Sequence, residues 1–496
     1  MHGWIIIGIA FLYLILLFAV ASIGDRKASR WGAKPRPYIY AFSLAVYCTS
    51  WTFFGSVGLA ADRGLEFLGI YIGPILVFTF GNKFLRHVVR LAKAERITSI
   101  ADFLAARYGK STSVATIATC IAVVGSMPYI ALQLKAVSGS VDMVLAQYQA
   151  SYDPIVYVFG DISLFVTALL AIFAILFGTR HTDATEHQDG LILAVALESV
   201  IKISAFLIVG IATTFFLFGS PFDLPQQLQE HNIDFWGMLS KTSASTWIIH
   251  TVLSAAAVLM LPRQFHVTVV ENRSEKELRT ARWLFPVYLI LINLFVLPIA
   301  LQGIINLGPS TNADLYVLAL PLAAGSHILT LLAFVGGLSA ATAMVIVACV
   351  ALSIMISNHL LLPLLIRYVF RRKQHQQRDL SRVILYTRRA TIVIILAVTF
   401  SYYRASSSTF GLASIGLVSF AAIAQFAPPL IGGLIWRNAN ARGAVFGMVS
   451  GFAVWAYTLL LPTLASPDAP FLQHGLWGLT YLRPQALFGV DALPLT

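Results

Sequence analysis

The chain has 496 residues, of which 58% are hydrophobic and 11% charged, and its mean hydropathy is +0.79. A soluble protein of this length could not bury so much apolar surface, so the composition excludes a soluble domain and indicates a polytopic membrane protein. The net charge of +12 would fit a nucleic-acid partner. However, the basic residues are concentrated in alternate connections between apolar segments, as in membrane proteins, and this predicts contact with membrane lipid and no nucleic acid.

Twelve apolar segments approach the length of about 20 residues that crosses a bilayer as a helix. In chain order they are 3–22, 38–60, 68–88, 113–146, 155–177, 191–218, 245–262, 283–303, 327–362, 388–404, 410–435 and 443–464. Lys and Arg are dense in the odd-numbered connections and sparse in the even-numbered ones. We therefore expect the amino terminus and the tail after the twelfth segment to lie outside.

The second segment is unusually polar at its centre. It reads Tyr47-Cys48-Thr49-Ser50-Trp51-Thr52, and Gly55 and Gly58 follow. Hydroxyls and helix-loosening glycines at bilayer depth are tolerated where they face protein or a water-filled cavity. This cluster is therefore the expected position of a bound solute or ion.

The fourth to seventh segments contain most of the ionisable groups that lie in apolar sequence. Glu198 and Lys202 are four residues apart and share one face of the sixth segment. Unpaired charges at that depth cost several kcal/mol, so the two form either a structural ion pair or a proton-sensitive gating pair. Asp161 needs a partner inside the bundle. His250 is either a hydrogen-bonded core residue or a proton-coupling group.

Hydroxyls and prolines mark further segments. Ser339 and Thr342 share a face of the ninth segment. That face either packs closely on a neighbouring helix or offers two hydroxyl ligands to a cation, with carbonyls of a broken helix supplying the rest. Pro128, Pro262 and the pair Pro428-Pro429 predict breaks in segments four, seven and eleven.

The sequence favours a protein that is not an enzyme and has no cofactor. Cys48, Cys120 and Cys349 lie in apolar segments without metal-ligand spacing, and no kinase, nucleotide-binding or zinc motif appears. Residues 95–109 begin with cap-type residues and end on Gly109. They predict a short amphipathic helix on the inner membrane face.

Four stretches together resemble the sodium:solute symporter family. They are Tyr47–Gly58, Ile97–Gly109, Leu261–His266 and Gly337–Thr342. The likeness covers nearly the whole chain. It is closer still to the transporter-like membrane portion of bacterial sensor histidine kinases of the CbrA and CrbS type. This resemblance implies a multi-pass protein of the bacterial inner membrane with a periplasmic amino terminus.

The resemblance also implies an all-α polytopic protein with a LeuT-like fold of two inverted five-helix repeats and flanking helices. The implied divisions are 1–37 for an extra first helix and linker, 38–218 and 219–435 for the two repeats, and 436–496 for a further helix and periplasmic tail. Breaks are then expected near Cys48–Trp51 and near Ser254–Pro262. The solute would lie at the midplane between segments two, four, seven and eleven.

Two sites follow from the same resemblance. The implied solute-binding residues are Ser50, Trp51, Thr52, Gln133, His250, Ser254 and Gln425. The implied cation ligands are the carbonyls of Ala45 and Cys48 and the hydroxyls of Ser339 and Thr342, while Glu198, Lys202 and Asp161 would couple or gate transport. Tyr47 stands where some sodium-driven members have an aspartate, so both sodium and protons remain candidate coupling ions.

The resulting hypothesis is the transporting and sensing membrane module of a bacterial sensor histidine kinase. It would take up a small organic solute by alternating access coupled to protons or sodium. The solute would be an amino acid such as histidine or a small carboxylate such as acetate. A further helix and a kinase domain in cis are expected in the full-length parent, so the chain is expected to be truncated. A receptor that does not transport and a standalone cation:solute symporter are the alternatives.

Overall fold

The structure is a computed structural model, and nearly all of it is helical. It describes residues 3–31, 34–148, 162–178, 188–218, 224–231, 233–240, 243–308, 310–364, 380–406, 411–466 and 469–491. The helices in the first half of the chain are α1 (Gly3–Trp31), α2 (Pro37–Ser43), α3 (Ser56–Arg63), α4 (Gly69–Thr79), α5 (Asn82–Ala94), α6 (Ile100–Arg107), α7 (Thr112–Tyr148), α8 (Ile162–Gly178), α9 (Asp189–Ala212), α10 (Leu224–Glu230) and α11 (Phe235–Ser240).

The second half continues the helical pattern and ends with a small hairpin. Its helices are α12 (Ala244–Met260), α13 (Pro262–Phe265), α14 (Glu275–Asn293), α15 (Val296–Asn306), α16 (Tyr316–Ala323), α17 (His327–Ile356), α18 (Leu380–Ala405), α19 (Leu412–Ala424), α20 (Ala427–Ile435), α21 (Ala441–Trp455), α22 (Leu461–Leu464) and α23 (Pro470–His474). Strands β1 (Ala486–Leu487) and β2 (Val490–Asp491) pair antiparallel, with Leu487 opposite Val490.

Shorter helical turns extend or interrupt these helices. Tight 3₁₀ turns cover Leu44–Tyr47, Gly64–Leu68, Ala313–Leu315, Leu476–Gly478 and Thr480–Leu482. Wide π-helical turns cover Trp51–Gly55, Thr213–Leu217, His266–Val270, Ser357–Leu361 and Ala456–Leu460. Turns of this wide kind are frequent at functional sites, and two of them follow the helix breaks described below.

Eight helices of the described chain are long and apolar enough to cross a membrane, and ten if each of two bent helix pairs counts as one span. The sequence predicts twelve apolar segments, and the difference from the described count has two sources. Predicted segments two and three both fall in the bent pair Pro37–Tyr47 with Trp51–Thr79. Of the fifth predicted segment, 155–177, only the part from Ile162 onward is described, and its apolar helix is Ser163–Leu176.

The chain nevertheless reverses direction between α3 and α4. Gly64, which follows α3, has a φ of 62°, a backbone conformation that glycine adopts at little cost. The hydroxyl oxygens of Ser56 and Tyr71 consequently lie 2.6 Å apart. The Tyr47 hydroxyl also donates to the carbonyl of Ile70 at 2.8 Å. Helices α3 and α4 therefore lie side by side, as two separate passes would.

The two predicted core breaks are present. The first bent pair turns by 67° between Tyr47 and Trp51, and Ala244–Met260 meets Pro262–Val270 at 54°. Pro262 occupies the first helical position after the second break, where its missing N–H costs nothing. The interruption expected near the Pro428-Pro429 pair falls just before it, between α19 and α20.

The break expected at Pro128 is absent, because α7 continues through that proline. Membrane helices tolerate an internal proline where neighbouring groups satisfy the freed carbonyl. The short helix expected within residues 95–109 is α6, whose first turn is capped by Ser99 accepting from the Asp102 amide. At the centre of the bundle, the middle of α17 is buried almost continuously and packs against α7, α8 and α9.

Candidate solute and cation site

The two broken helices meet at the centre of the bundle. Gln264, in α13, donates from Nε2 to the carbonyl of Leu44 at 3.1 Å. The hydroxyl of Tyr40, in α2, donates to the carbonyl of Thr268 at 2.7 Å. All of these groups are buried. A side chain of each broken helix therefore binds a backbone carbonyl of the other.

Lys202 occupies the position that the sequence assigned to a coupling cation. Its ammonium donates to the carbonyls of Ala45 and Cys48, both at 2.6 Å. The Ala45 carbonyl lies in the turn before the first break and that of Cys48 lies within the break. The Lys202 side chain is fully buried on α9. The two predicted carbonyl ligands are thus adjacent to each other, and a protein ammonium group binds both.

Glu198 binds the two hydroxyls that were also predicted as cation ligands. Thr342 donates to the Glu198 carboxylate, and Ser339 donates to the Glu198 backbone carbonyl at 2.9 Å. Tyr13 of α1 lies 3.4 Å from the same carboxylate. Glu198 and Lys202 therefore make these hydrogen bonds with other elements, and together they bind all four predicted cation ligands.

An aromatic cluster lies on the other side of the first break. The Trp51 ring is 6.0 Å from the Tyr129 ring and 5.0 Å from the Phe420 ring, measured between centroids. Tyr129 and Phe420 stack at 5.6 Å with nearly parallel planes. The indole lies so close to α19 that a methyl group at Gly416 would overlap it. The cluster joins the broken second segment to α7 and α19.

Three of the predicted solute-binding residues meet beside this cluster. Gln133 of α7 accepts from the Ser50 amide at 3.1 Å, within the first break. The Ser50 hydroxyl and the Trp51 indole nitrogen are buried and have no hydrogen-bond partner among the described residues. Thr52 is also buried, at the next position. Buried polar groups are rarely left unsatisfied, so the unpaired donors indicate a place where a ligand or water binds.

His250 and Ser254 form a separate contact, between α12 and the segment that begins α4. His250 Nε2 is 3.7 Å from the Glu66 carboxylate, and the ring packs on Gly69. The Ser254 hydroxyl donates to the carbonyl of Gly69 at 3.1 Å and to that of Thr251 at 3.0 Å. The structure therefore brings both residues to the interface between α12 and the start of α4.

The remaining predictions fall away from the centre. Gln425, just after α19, borders an open groove of about 420 Å³ with Ser450, Gly451 and Trp455 of α21. Its amide donates to the carbonyl of Ala421 at 3.4 Å. Asp161 lies outside the described residues. The described part of the chain contains no group of three or more His, Cys, Asp or Glu side chains suited to a metal ion.

A charged cluster joins several segments at one end of the bundle. Asp189, at the first turn of α9, accepts from the guanidinium groups of Arg36 and Arg273. Glu277 in α14 accepts from the backbone amides of the same arginines at 2.8 and 2.7 Å. Since Arg36 precedes the first broken helix and Arg273 follows the second, the cluster holds the ends of both together.

Sequence reasoning missed several residues of the site. Tyr129, Phe420 and Tyr13 resemble ordinary apolar-segment aromatics, and only the fold shows that they meet. Arg263 could have been predicted from the sequence. A charged residue directly after a proline in apolar sequence is costly to bury, and such residues mark functional sites.

Comparisons with known proteins agree with this architecture. No family model matches the chain. The "Uncharacterized symporter YodF" of Bacillus subtilis (strain 168) is 22% identical over 444 residues, which are 87% of this chain and 80% of that protein. The substrate-bound, outward-open structure of a Na+-coupled sialic acid symporter has a TM-score of 0.60 at 16% identity and covers 91% of each chain.

The protein is thus a polytopic helical membrane protein with the LeuT-like transporter fold. The expectation of a protein that is not an enzyme agrees with both comparisons, since each is with a symporter. A manganese transporter from Eremococcus coleocola has a TM-score of 0.39 at 13% identity, covering 86% of this chain and 94% of that one. That score is too low to indicate a shared fold.

Proposed function

We propose that the protein is a secondary transporter that moves a small organic solute across a membrane by alternating access. The observation that supports this most strongly is the meeting of two broken helices at a buried polar and aromatic cluster. Broken helices in transporters release backbone groups near the midplane, and these groups bind solutes and ions. A membrane anchor would have no use for interrupted helices or for buried polar groups without partners.

The proposed solute site centres on Ser50, Trp51 and Gln133. Trp51 contributes a flat apolar face, and the unpaired Ser50 hydroxyl and Trp51 N–H offer hydrogen bonds to a bound solute. Thr52 adjoins this centre. His250 and Ser254 hold the neighbouring α4 in place, and Gln425 borders the groove against α21. In this proposal these last three residues act at the edge of the site.

Protons are the coupling ion that the geometry favours. The ammonium of Lys202 already binds the carbonyls that a sodium ion would need, and a second cation there would be repelled strongly at low dielectric constant. A lysine can release and regain a proton, and the Glu198 carboxylate is one helical turn away. Sodium coupling is the second candidate, because the similar sialic acid symporter is Na+-coupled.

We further propose that this transporter is the membrane module of a bacterial sensor histidine kinase in the inner membrane, with its amino terminus in the periplasm. The inverted repeats would be 38–218 and 219–435. Histidine and acetate are the solutes to test first. A coding sequence that continues beyond Thr496 into another apolar span and a kinase with a phosphorylatable histidine would support this. A stop codon there would favour the standalone symporter.

The transport proposal is tested with purified protein in proteoliposomes and labelled L-histidine or acetate. We expect accumulation under an imposed proton gradient, with equal uptake in sodium and choline media. Accumulation that requires a sodium gradient would replace proton coupling with sodium coupling. Binding to the detergent-purified protein without uptake would instead favour the receptor alternative. Trp51→Ala serves as the site variant, with Trp477→Ala as the matched control because Trp477 is 84% exposed.

A further inference from the structure

Arg263 is a buried cation that lacks a counter-ion among the described residues. It is the second residue of α13, directly after the break at Leu261, and is 2% exposed. Its Nε and Nη2 groups have no hydrogen-bond acceptor in the part of the chain that the structure describes. No Asp or Glu in the described ranges forms an ion pair with it. Burying a guanidinium is costly unless its N–H groups are paired, so the arrangement lacks an anion.

The surroundings of Arg263 place it at the proposed solute site. The guanidinium carbon lies 4.2 Å from the centre of the Tyr129 ring, within range of a cation–π interaction. Tyr129 is the ring that stacks on Phe420 and contacts Trp51. Its hydroxyl lies 3.0 Å from Thr49 Oγ1, within the first break. Arg263 therefore contacts the aromatic cluster from the side of the second broken helix.

The geometry of the unpaired nitrogens is specific. The Nε–H and one Nη2–H of an arginine point from the same edge of the planar guanidinium. Two parallel hydrogen bonds from one edge match the two oxygens of a carboxylate. A single carbonyl can accept from both donors, as that of Gly433 does from Arg107, but only an anion also compensates the buried charge. A carboxylate is therefore the ligand that completes this edge.

The local charge balance points the same way. Lys202 donates to the carbonyl of Ala45, and Gln264, the residue after Arg263, donates to the carbonyl of Leu44. Both cations therefore lie beside the first break, where Glu198, one helical turn from Lys202, is the neighbouring carboxylate. The centre of the described bundle thus holds an excess of positive charge. A monoanionic group bound at Arg263 would neutralise it at low dielectric constant, where the attraction is strong.

We propose that Arg263 anchors the carboxylate of the transported solute through Nε and Nη2, with the rest of the solute lying against Trp51 and Tyr129. The substrate class is then small carboxylates, amino acids included. This rests on the function proposed above and deepens it, because a solute site is required. It adds a residue that selects substrates by their charge.

The test measures ligand binding to the full chain in nanodiscs, and the thermal shift of the protein is the readout. The probes are formate, acetate, propionate and the common L-amino acids, each compared with its neutral amide. We expect at least one carboxylate to bind about 100-fold more tightly than its amide, because the amide leaves a buried donor pair unpaired. Equal binding of acid and amide, or no binding by any carboxylate of the panel, would overturn the proposal.

Variants distinguish a specific role of Arg263 from the general effect of replacing a buried arginine. Arg263→Gln is expected to weaken carboxylate binding by about 30-fold or more and to remove the preference over the amide. Arg388→Gln is the matched control, since Arg388 is also buried, at 3% exposed, but lies on α18. If Arg263→Gln does not fold, Arg263→Lys is used instead. It keeps the charge but not the two-donor edge, so an unchanged acid-to-amide ratio in this variant would refute the anchor.

Failure of the carboxylate-anchor proposal can be distinguished from failure of the transport function. A chain that binds carboxylates through Arg263 but does not move them would retain the acid-to-amide preference and lack uptake. A transporter of neutral or cationic solutes would show uptake without that preference.

Discussion

At the scale of single residues, Lys202 and its neighbour Glu198 bind the four residues that the family resemblance assigned to a cation site. Helical spacing placed Glu198 and Lys202 on one face, and the family resemblance placed Ala45, Cys48, Ser339 and Thr342 around a cation. Spacing within one helix does not reveal which helix faces it. Only the fold brings the ammonium to the carbonyls and the carboxylate to the hydroxyls.

Replacing Lys202 with Ala tests its role as a resident cation. The change leaves two buried carbonyls without a donor, at a cost of about 2–5 kcal/mol. We expect uptake in choline medium to fall at least tenfold and a sodium response to appear, because sodium can then enter between the carbonyls. Uptake is compared with that of Lys83→Ala, at an exposed position of α5. A wild-type protein that requires sodium would contradict this role.

Asp102 near the start of α6 allows a prediction about pH. Burial raises the pKa of its carboxyl, but hydrogen bonds and charge from His359 and hydrogen bonds from Thr98 outweigh burial, so the pKa lies below its ordinary value. A depressed pKa in the folded state adds stability above the unfolded pKa of about 4, and that stability is lost as the pH falls through the folded value.

Asp102→Asn should therefore lower the melting temperature at pH 7, by an amount corresponding to roughly 1 kcal/mol. The difference from the wild type should shrink as the pH falls below about 4. Thermal unfolding in detergent across this range measures it. A difference that does not change with pH would mean that the carboxylate charge has no part in stability.

At the scale of elements, prolines predicted breaks with uneven success. Pro262 follows Leu261, whose ψ of 131° ends the preceding helix. Pro128 has the same chemistry, yet α7 continues through it. Proline removes one hydrogen bond and crowds the preceding turn, but whether the helix breaks depends on neighbours that a single sequence does not identify.

The close packing of α4 on α12 gives a prediction at this scale. A methyl group at Gly73 would overlap the Ser254 side chain and the backbone of Thr251 and Ala255. Because backbone cannot yield as a side chain does, Gly73→Ala should destabilise the protein by about 1–3 kcal/mol. Gly447→Ala in α21 is the control, since nothing lies within 4 Å of its added methyl. Equal melting temperatures for the two variants would contradict the close approach.

At the scale of the whole molecule, much of the architecture could be predicted and the pocket could not. Hydropathy located the helices, and the polar stretch at Tyr47–Thr52 located the first break. Hydropathy did not show that predicted segments two and three lie within one bent helix pair. The partners of Trp51 come from α7 and α19, which are distant in sequence, and no local pattern encodes that contact.

Asp189 allows a test of whether the charged cluster controls access. It binds Arg36 and Arg273, so Asp189→Asn should release the ends of both broken helices. We expect alkylation of buried Cys48 by N-ethylmaleimide to become roughly tenfold faster or more, while Cys349 in α17 stays protected. Mass spectrometry reports both thiols in one sample. Asp234→Asn, at an exposed site, is the control, and an unchanged Cys48 rate would contradict a gating role.

The most direct test of the central claim, that the bundle moves a solute by alternating access, is counterflow. Proteoliposomes loaded with unlabelled L-histidine or acetate are diluted into a trace of the labelled solute, without any ion gradient. A transporter that alternates around a central site will accumulate label transiently through exchange, and Trp51→Ala will abolish the overshoot. Binding of the label without an overshoot would contradict the account and identify the protein as a receptor.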